Sequence, residues 1–289
     1  MPPEEQWSAL APHPGTLTWR RADDARVLLA AGYALLLQVS HPTVGAGVSE
    51  HSRFRSDPWG RLLRTLDYAC TMVYGGPRAA GEMGLRIRAF HRQIRGVATD
   101  GRRYHALEPG AYAWVHATLA AGIVLAHERF VRPFDAGECE LLWSEWRALG
   151  RLLGIRSEDL PADWEGFRAY LEVTVEGRLE RTAAVEEVLE ALARPAPPAL
   201  AALARPLWPV ASRQLGHLVR LTTVGLLPPL LRERFGTRWT RADELELAVL
   251  AAGLRAATPL MPASLRNTGP GYLRWRREAL ARGEVASLP

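Results

Sequence analysis

A histidine between two arginines, at helical spacing, is the part of this sequence best suited to chemistry. Arg88, His91 and Arg95 occupy positions i, i+3 and i+7, so on a single helix they would project from one face. An imidazole can bind a metal, and guanidinium groups bind carboxylates in a planar geometry. The set predicts an anionic, metal-containing cofactor such as haem. The alternatives are a core histidine bonded to the backbone and two ordinary surface arginines.

A second polar set precedes the first on a separate predicted helix. Arg61, Arg64 and Thr65 share one helical face and follow Pro58-Trp59-Gly60, which resembles a helix start. If these groups are buried they need partners, and a pocket that binds and polarises O₂ would supply one. The alternative is a set of surface ion pairs with acids such as Asp67.

Other catalytic and metal-binding motifs are missing from the sequence. All basic side chains are arginines, which excludes lysine Schiff-base chemistry and a lysine-dependent phosphate loop. The sequence holds no Glu-x-x-His pair, no His-Glu-x-x-His and no Gly-x-Ser-x-Gly. Cys70 and Cys139 are expected to be packing residues. His41, His116 and His127 compete with His91, and for His41 and His116 we favour core histidines that are hydrogen-bonded to the backbone.

The positive charge is concentrated around the two polar sets. The chain of 289 residues has a formal net charge of +5, but residues 53–103 contain eleven arginines and four acids, so this region carries +7 and the remainder −2. A basic excess of this kind suits an anionic ligand. The alternatives are a solvated basic face or contact with nucleic acid. The sequence lacks zinc fingers, basic-zipper and ribonucleoprotein motifs, so we expect no nucleic-acid partner.

The hydrophobic periodicity predicts an all-α protein. With 48% hydrophobic residues, the chain can bury a full core. Helices are predicted near 22–39, 59–74, 77–95, 108–131, 135–153, 163–181, 183–193, 206–226 and 241–257. Asp135 and Thr240 are predicted N-caps, and Gly154 a helix stop. We expect a flexible segment over 1–18 and a single helical domain over 19–280.

No membrane span is expected, because the longest apolar run, near Val27–Val39, has about a dozen residues and a spanning helix needs about 18. The first residues, Met-Pro-Pro-Glu-Glu, lack the basic and apolar regions of a secretory signal. The expected location is therefore the cytoplasm.

Several of these segments together resemble one protein family. The segments are Leu35–Pro42, Gly45–Phe54, Asp57–Thr65, Arg88–Gly96, Tyr104–Pro109, Trp114–Thr118 and Glu128–Pro133. With them the chain resembles the MpaB / latex-clearing (rubber oxygenase) family of haem proteins over roughly residues 20–180. Each segment alone is a weak match, whereas their combination and order are specific.

The resemblance implies an all-α fold with a globin-like core around haem b. It implies that His91 is the proximal iron ligand, that Arg88 and Arg95 are its typical neighbours, and that Arg61 and Thr65 lie on the distal side. Arg64 departs from the family pattern, because latex-clearing proteins can carry a distal lysine there. Arginine stays protonated and is a poor iron ligand, so we expect an open or water-filled distal site with Arg64 as a hydrogen-bond donor.

The resemblance also implies the reaction. We expect a haem b-dependent oxygenase or related oxidoreductase that uses O₂ on a small apolar substrate of isoprenoid-like character. The alternative is a haem-binding sensor or carrier without turnover. The residues alone do not separate these two functions, since both need the same ligand and the same polar pocket.

Overall fold

The chain folds as a single all-α domain, as predicted. A computed structural model describes residues 1–51, 58–98, 100–193, 195, 208–266 and 269–282. The α-helices are α1 (Trp7–Leu10), α2 (Leu17–Ala22), α3 (Ala31–Val39), α4 (Pro42–His51), α5 (Pro58–Tyr74), α6 (Pro77–Arg92), α7 (Pro109–Phe130), α8 (Ala136–Leu152), α9 (Trp164–Gly177), α10 (Ala183–Ala193), α11 (Trp208–Leu226), α12 (Pro229–Arg234), α13 (Arg241–Ala256), α14 (Ala263–Arg266) and α15 (Gly269–Ala281). Short 3₁₀ helices lie at Glu4–Gln6, Ala25–Ala30, Ser157–Asp159 and Thr258–Leu260.

A small antiparallel hairpin interrupts the helices. Strands β1 (Arg95–Val97) and β2 (Arg103–His105) pair with Gly96 opposite Tyr104. The sequence analysis placed residue 95 at the end of a helix, and this was wrong. The helix α6 ends at Arg92 in a tight turn, where the Ile94 amide donates to the His91 carbonyl at 3.1 Å, and the chain then becomes extended.

The helix ends follow their sequence signals. Asp135 and Glu138 form a capping box at the start of α8, and Thr240 forms one with Asp243 at α13, so both predicted caps are confirmed. Gly154 follows α8 with φ of +77°, a conformation that favours glycine and ends the helix as predicted.

The core is centred on α7, which packs against α3, α8 and the 3₁₀ helix Ala25–Ala30. Small buried residues on α7, such as Ala113, Ala117 and Ala120, allow its neighbours to approach closely. The indole of Trp114 donates to the Leu37 carbonyl at 2.8 Å, which satisfies a buried polar group at the α3–α7 contact.

By length and apolar composition, α7 could cross a membrane, and 67% of its most apolar window is buried inside the fold. The bent pair Ala25–Val39 and Pro42–His51, at 102°, also passes this test when taken as one segment. The sequence analysis considered the run near Val27–Val39 and overlooked α7, whose histidines and small residues lower its apparent hydrophobicity. The burial of α7 is typical of a core helix.

The first residues pack against the domain, in contrast to the flexible segment expected over 1–18. Trp7, Leu10 and Leu17 are buried in the hydrophobic core. The Glu145 carboxylate accepts from the Leu17 and Thr18 amides at 3.0 and 2.7 Å, which satisfies open amides at the start of α2. The domain boundary at residue 19 stays a prediction.

Candidate functional site

Helices α5 and α6 form an antiparallel hairpin that brings the two predicted sets to the same end. They pack against each other, and Gly75 and Gly76 join them, with φ of +83° at Gly76. Arg61 precedes this turn by about as many residues as His91 follows it. At roughly 1.5 Å per residue, both lie about 20 Å along the hairpin from the turn.

His91 is held by its own helix. Its Nδ1 lies 2.8 Å from the Ile87 carbonyl oxygen. A carbonyl can only accept, so Nδ1 carries the proton and Nε2 carries the lone pair when the ring is neutral. Burial lowers the pKa of His91 and favours this neutral ring. Nε2 has no hydrogen-bond partner within the part of the chain that the structure describes.

Aromatic rings surround this imidazole. Tyr112 of α7 and Phe90 each lie with ring centroids 5.5 Å from that of His91, in edge-on geometry. Phe90 is half exposed, at 50%. The ring of His91 is therefore oriented by a backbone bond and by two aromatic neighbours, and such orientation is what a metal-binding imidazole needs.

The two arginines that flank His91 in sequence occupy different environments. Arg88 is half buried on α6, and its Nη1 approaches the Gly154 carbonyl at 3.4 Å, near the C-terminus of α8. Arg95 is exposed on β1, where it lines a cavity of about 490 Å³ with Thr43, Tyr104 and other residues of the hairpin region. The predicted single face of Arg88, His91 and Arg95 is therefore reduced to Arg88 and His91.

On α5, Arg61 and Arg64 lie close enough to influence each other. Burial, and secondarily the charge of Arg64, lower the pKa of Arg61. The Thr65 hydroxyl donates to the Arg61 carbonyl at 3.0 Å, so its proton is used within the helix and its oxygen is left mainly as an acceptor. The three residues share one face, as predicted.

Asp67 is not a surface partner for these arginines. It is buried and forms an ion pair with Arg276 of α15 at 2.7 Å, and the Tyr272 hydroxyl donates to it at 2.6 Å. The alternative in which Asp67 neutralises the α5 arginines at the surface is therefore wrong. Asp67 instead fastens the C-terminal helix to α5.

The predicted core role is confirmed for His116, and His127 is a second buried histidine that bonds to the backbone. Nε2 of His116 donates to the Trp146 carbonyl at 2.8 Å, and Nε2 of His127 donates to the Arg21 carbonyl at 2.9 Å. Burial lowers the pKa of His116 to about 4. His41 is also buried, but its Nδ1 has no hydrogen-bond partner among the described residues.

One polar cluster was missed by the sequence analysis. Tyr104 donates to the Glu50 carboxylate and lies 3.1 Å from Nε2 of His51. Burial and the bond to Glu50 raise the pKa of Tyr104 to about 12. The adjacent pair Glu50-His51 was visible in the sequence, but its partner lies on β2, and the hairpin was not predicted.

Within the described ranges, no group of three or more His, Cys, Asp or Glu side chains could hold a metal ion. Neither the cavity beside Arg95 nor a second one, described below, includes His91 among its lining residues. A single imidazole with an open Nε2 is compatible with a cofactor that brings most of its own metal ligands, as haem does.

Comparison with known proteins is informative at the level of the family. Residues 19–256 match the family described as "ER-bound oxygenase mpaB/B'/Rubber oxygenase, catalytic domain". The chain is also similar to an uncharacterized protein of Mycobacterium bovis and to one of Mycobacterium tuberculosis. Each is 27% identical over 232 residues, which cover 79% of this chain and 87% of the relative. No solved structure matches the chain.

Proposed function

The chain belongs to the mpaB/rubber oxygenase catalytic-domain family, and from this premise we propose that it is a haem b-dependent oxygenase. The proposed substrate is a small apolar molecule of the isoprenoid class, with O₂ as the second substrate. Membership of an oxygenase family supports the general activity. The cofactor and the substrate class are the parts that need separate support from the residues.

The single observation that carries the haem assignment is the bonding of His91. Histidines that bind metals almost always donate their other ring nitrogen to a carbonyl, a carboxylate or water. His91 has this arrangement, with Nδ1 bonded to the Ile87 carbonyl at 2.8 Å and Nε2 open. Since burial keeps the ring neutral, no proton has to be removed before Nε2 binds iron.

The remaining residues fit roles around such a cofactor. Arg88, half buried one turn from His91, is placed to pair with a haem carboxylate, and Arg95 can add a weaker, solvent-exposed contact. Haem, when bound, supplies the redox and dioxygen chemistry. Arg61 and Arg64 offer fixed N–H donors at the same end of the helix hairpin, where they would stabilise negative charge that develops on oxygen.

Arg64 distinguishes this proposal from a lysine-closed distal site. A guanidinium is a poor ligand for iron because it has no free lone pair to offer. We propose that the distal side is open to O₂, with Arg61 and Arg64 as donors and the Thr65 oxygen as an acceptor.

The test is a titration of the purified full chain with hemin, followed by reduction and exposure to O₂ with squalene as the isoprenoid probe. The proposal expects a Soret band at one equivalent and O₂ uptake that depends on squalene, with oxygenated product. A Soret band without product from squalene or other alkenes would favour the haem-binding sensor or carrier. The absence of a Soret band would overturn the haem assignment.

A further inference from the structure

A second cavity, of about 430 Å³, has arginines as half of its lining residues, and none of the lining residues belongs to α5 or α6. It is formed by α2, the 3₁₀ helix Ala25–Ala30, the C-terminal ends of α7 and α13, and α14. We call it the arginine cavity. Its guanidinium groups belong to Arg20, Arg21, Arg26, Arg132, Arg255 and Arg266.

Part of this positive charge is neutralised by carboxylates. Arg26 is buried and pairs with Asp24 at 2.7 Å. Arg21 and Arg132 share the carboxylate of Glu138, at 3.1 and 2.8 Å. These bonds, with that to Arg132 the strongest influence, lower the pKa of Glu138 to about 2, so Glu138 stays charged. These three arginines are therefore paired within the protein, although with only two carboxylates.

The other three arginines have no carboxylate partner among the described residues. Arg255 donates to the Glu128 carbonyl at 2.6 Å, which leaves its other N–H groups available. No side-chain bond joins Arg20 to another described residue. Nε of Arg266 is buried without any hydrogen-bond partner. Buried donors in folded proteins are almost always bonded, so this atom indicates a missing acceptor.

His127 contributes an open acceptor to the same cavity. The side chain is 1% exposed, and its Nε2 donates to the Arg21 carbonyl at 2.9 Å. In the neutral ring Nδ1 is then an acceptor, and Nδ1 is buried without a partner. A ligand that reaches this nitrogen must therefore offer a hydrogen-bond donor as well as acceptors.

The cavity also holds acidic groups, and these do not cancel its charge. Asp24 is used by Arg26. Burial, and then the neighbouring Asp24, raise the pKa of Asp23 to about 6, which weakens the repulsion that Asp23 would exert on an anion below that pH. Six guanidinium groups and two carboxylates line the cavity, and with Glu138, which pairs with two of these arginines, the formal charge is +3.

Helix ends explain only part of this arginine cluster. Arg26 donates to the Phe130 and Leu254 carbonyls at 3.3 Å each, at the C-termini of α7 and α13, where cations are favourable. Arg255 also bonds to α7. Bonding to carbonyls at helix C-termini does not account for Arg20, for the buried Nε of Arg266 or for Nδ1 of His127.

We propose that the arginine cavity binds a phosphate group, either as inorganic phosphate or as a phosphate monoester. Phosphate oxygens accept from guanidinium groups. At neutral pH inorganic phosphate retains a hydroxyl that can donate to Nδ1 of His127, whereas a monoester, whose second pKa is about 6, can donate in this way only as its monoanion. The cavity volume of about 430 Å³ is many times the roughly 30 Å³ that one water molecule occupies. There is room for an organic residue beyond the phosphate.

The proposal distinguishes phosphate from sulfate, which has the same shape but no proton at neutral pH. We expect calorimetric titration of the full chain at constant ionic strength to show inorganic phosphate binding at least tenfold more tightly than sulfate. In His127→Gln the amide still donates to the Arg21 carbonyl, but the Nδ1 acceptor is lost. This variant should therefore bind phosphate and sulfate with about equal affinity.

Two arginine variants and one control complete the test. Arg266→Met and Arg20→Met should each weaken phosphate binding at least tenfold, and Arg20 is exposed, so that variant should fold. Arg168→Met, an exposed change on α9 with the same loss of charge, should change binding less than twofold.

Equal binding of phosphate and sulfate, or equal effects of the Arg20 and Arg168 variants, would overturn the proposal and leave only nonspecific ion screening. Glycerol 3-phosphate distinguishes the two sources of the ligand. Tighter binding than inorganic phosphate assigns the cavity to a phosphate monoester, and weaker binding assigns it to the free ion.

Discussion

The end of α6 and the contact between α7 and α8 each hold an imidazole bonded to a backbone carbonyl, but they use opposite ring nitrogens. His91 bonds through Nδ1 to a carbonyl of its own helix. His116 bonds through Nε2 to Trp146 on a neighbouring helix, and the Trp146 indole returns a bond to the His116 carbonyl at 2.9 Å. The first imidazole keeps its outer nitrogen open, whereas the second uses it to join two helices.

Packing reinforces this difference. The His116 ring is stacked on Trp146 with centroids 5.3 Å apart, and a Cβ added at Gly150 would lie only 2.9 Å from Nε2 of His116. No ligand could reach that nitrogen without moving α8. Burial alone therefore does not separate a core histidine from a ligand, while the nitrogen that is already bonded does.

The largest expected effect is on cofactor binding. His91→Ala should weaken hemin binding at least 100-fold, because loss of supporting contacts alone costs metal sites about 10–100-fold. His116→Ala should change hemin affinity less than threefold when measured at a temperature at which it is folded. The measurement is the Soret band during hemin titration. If both variants behave alike, the comparison between the two histidines is wrong.

For the stability of the fold, in contrast, His116→Ala is expected to have a larger effect than His91→Ala. His116→Ala removes a stacked ring and one of the donors to the Trp146 carbonyl, so it should lower the free energy of unfolding by about 2–4 kcal/mol. His91→Ala, at a position that is only partly buried, should cost less than about 1.5 kcal/mol. Urea denaturation of the haem-free proteins gives both values. A larger loss for His91→Ala would assign His91 to the core.

His116 also predicts that the stability of the fold depends on pH. The pKa of His116 is about 4 in the folded protein and about 6.5 when unfolded, so the unfolded chain binds the proton more readily. The stability linked to His116 is complete above pH 6.5 and is lost as the pH falls toward 4, by about 2 kcal/mol at pH 4.5. His116→Gln, which keeps a donor for Trp146 but cannot titrate, is the control. Its stability should fall less than that of the wild type between pH 7.5 and 4.5.

The smallest expected effects on hemin binding are those of the two arginines, and Arg88 should contribute more than Arg95. Arg88→Ala should weaken hemin binding about tenfold, as expected for a charge-assisted bond in a partly buried place. Arg95→Ala should weaken it less than threefold, since exposed ion pairs contribute about 0–1 kcal/mol. Equal losses in the hemin titration would mean that β1 approaches the cofactor more closely than its position beside the hairpin cavity indicates.

Helical periodicity and capping were sufficient to predict most of the fold. The predicted helices at 59–74, 183–193 and 241–257 differ by at most one residue from α5, α10 and α13, because their caps and apolar faces are local. The hairpin after α6 was missed because the run Arg88–Arg95 continues a helical pattern. What ends α6 is a tight turn and the pairing of β1 with β2, a contact between residues that are apart in sequence.

The candidate site was predictable in composition but not in geometry. Spacing correctly placed Arg61, Arg64 and Thr65 on one face, and the short Gly75-Gly76 turn could have indicated the antiparallel hairpin. The partner of Asp67 lies 209 residues away. The ring of His91 bonds within its own helix, but its orientation also depends on the contact with Tyr112 of α7. The assignment of these residues to haem stays a prediction that the titrations above address.

The pairing of Asp67 with Arg276 has a consequence for the order in which the chain can fold during synthesis. Asp67 is 2% exposed, and its partners Arg276 and Tyr272 lie on the last helix, beyond residues 19–256 that match the family. Until α15 has left the ribosome, this face of α5 would bury an unmatched carboxylate, which is costly. We expect α5 to reach its final position only after Arg276, which lies 209 residues beyond Asp67, has been synthesised.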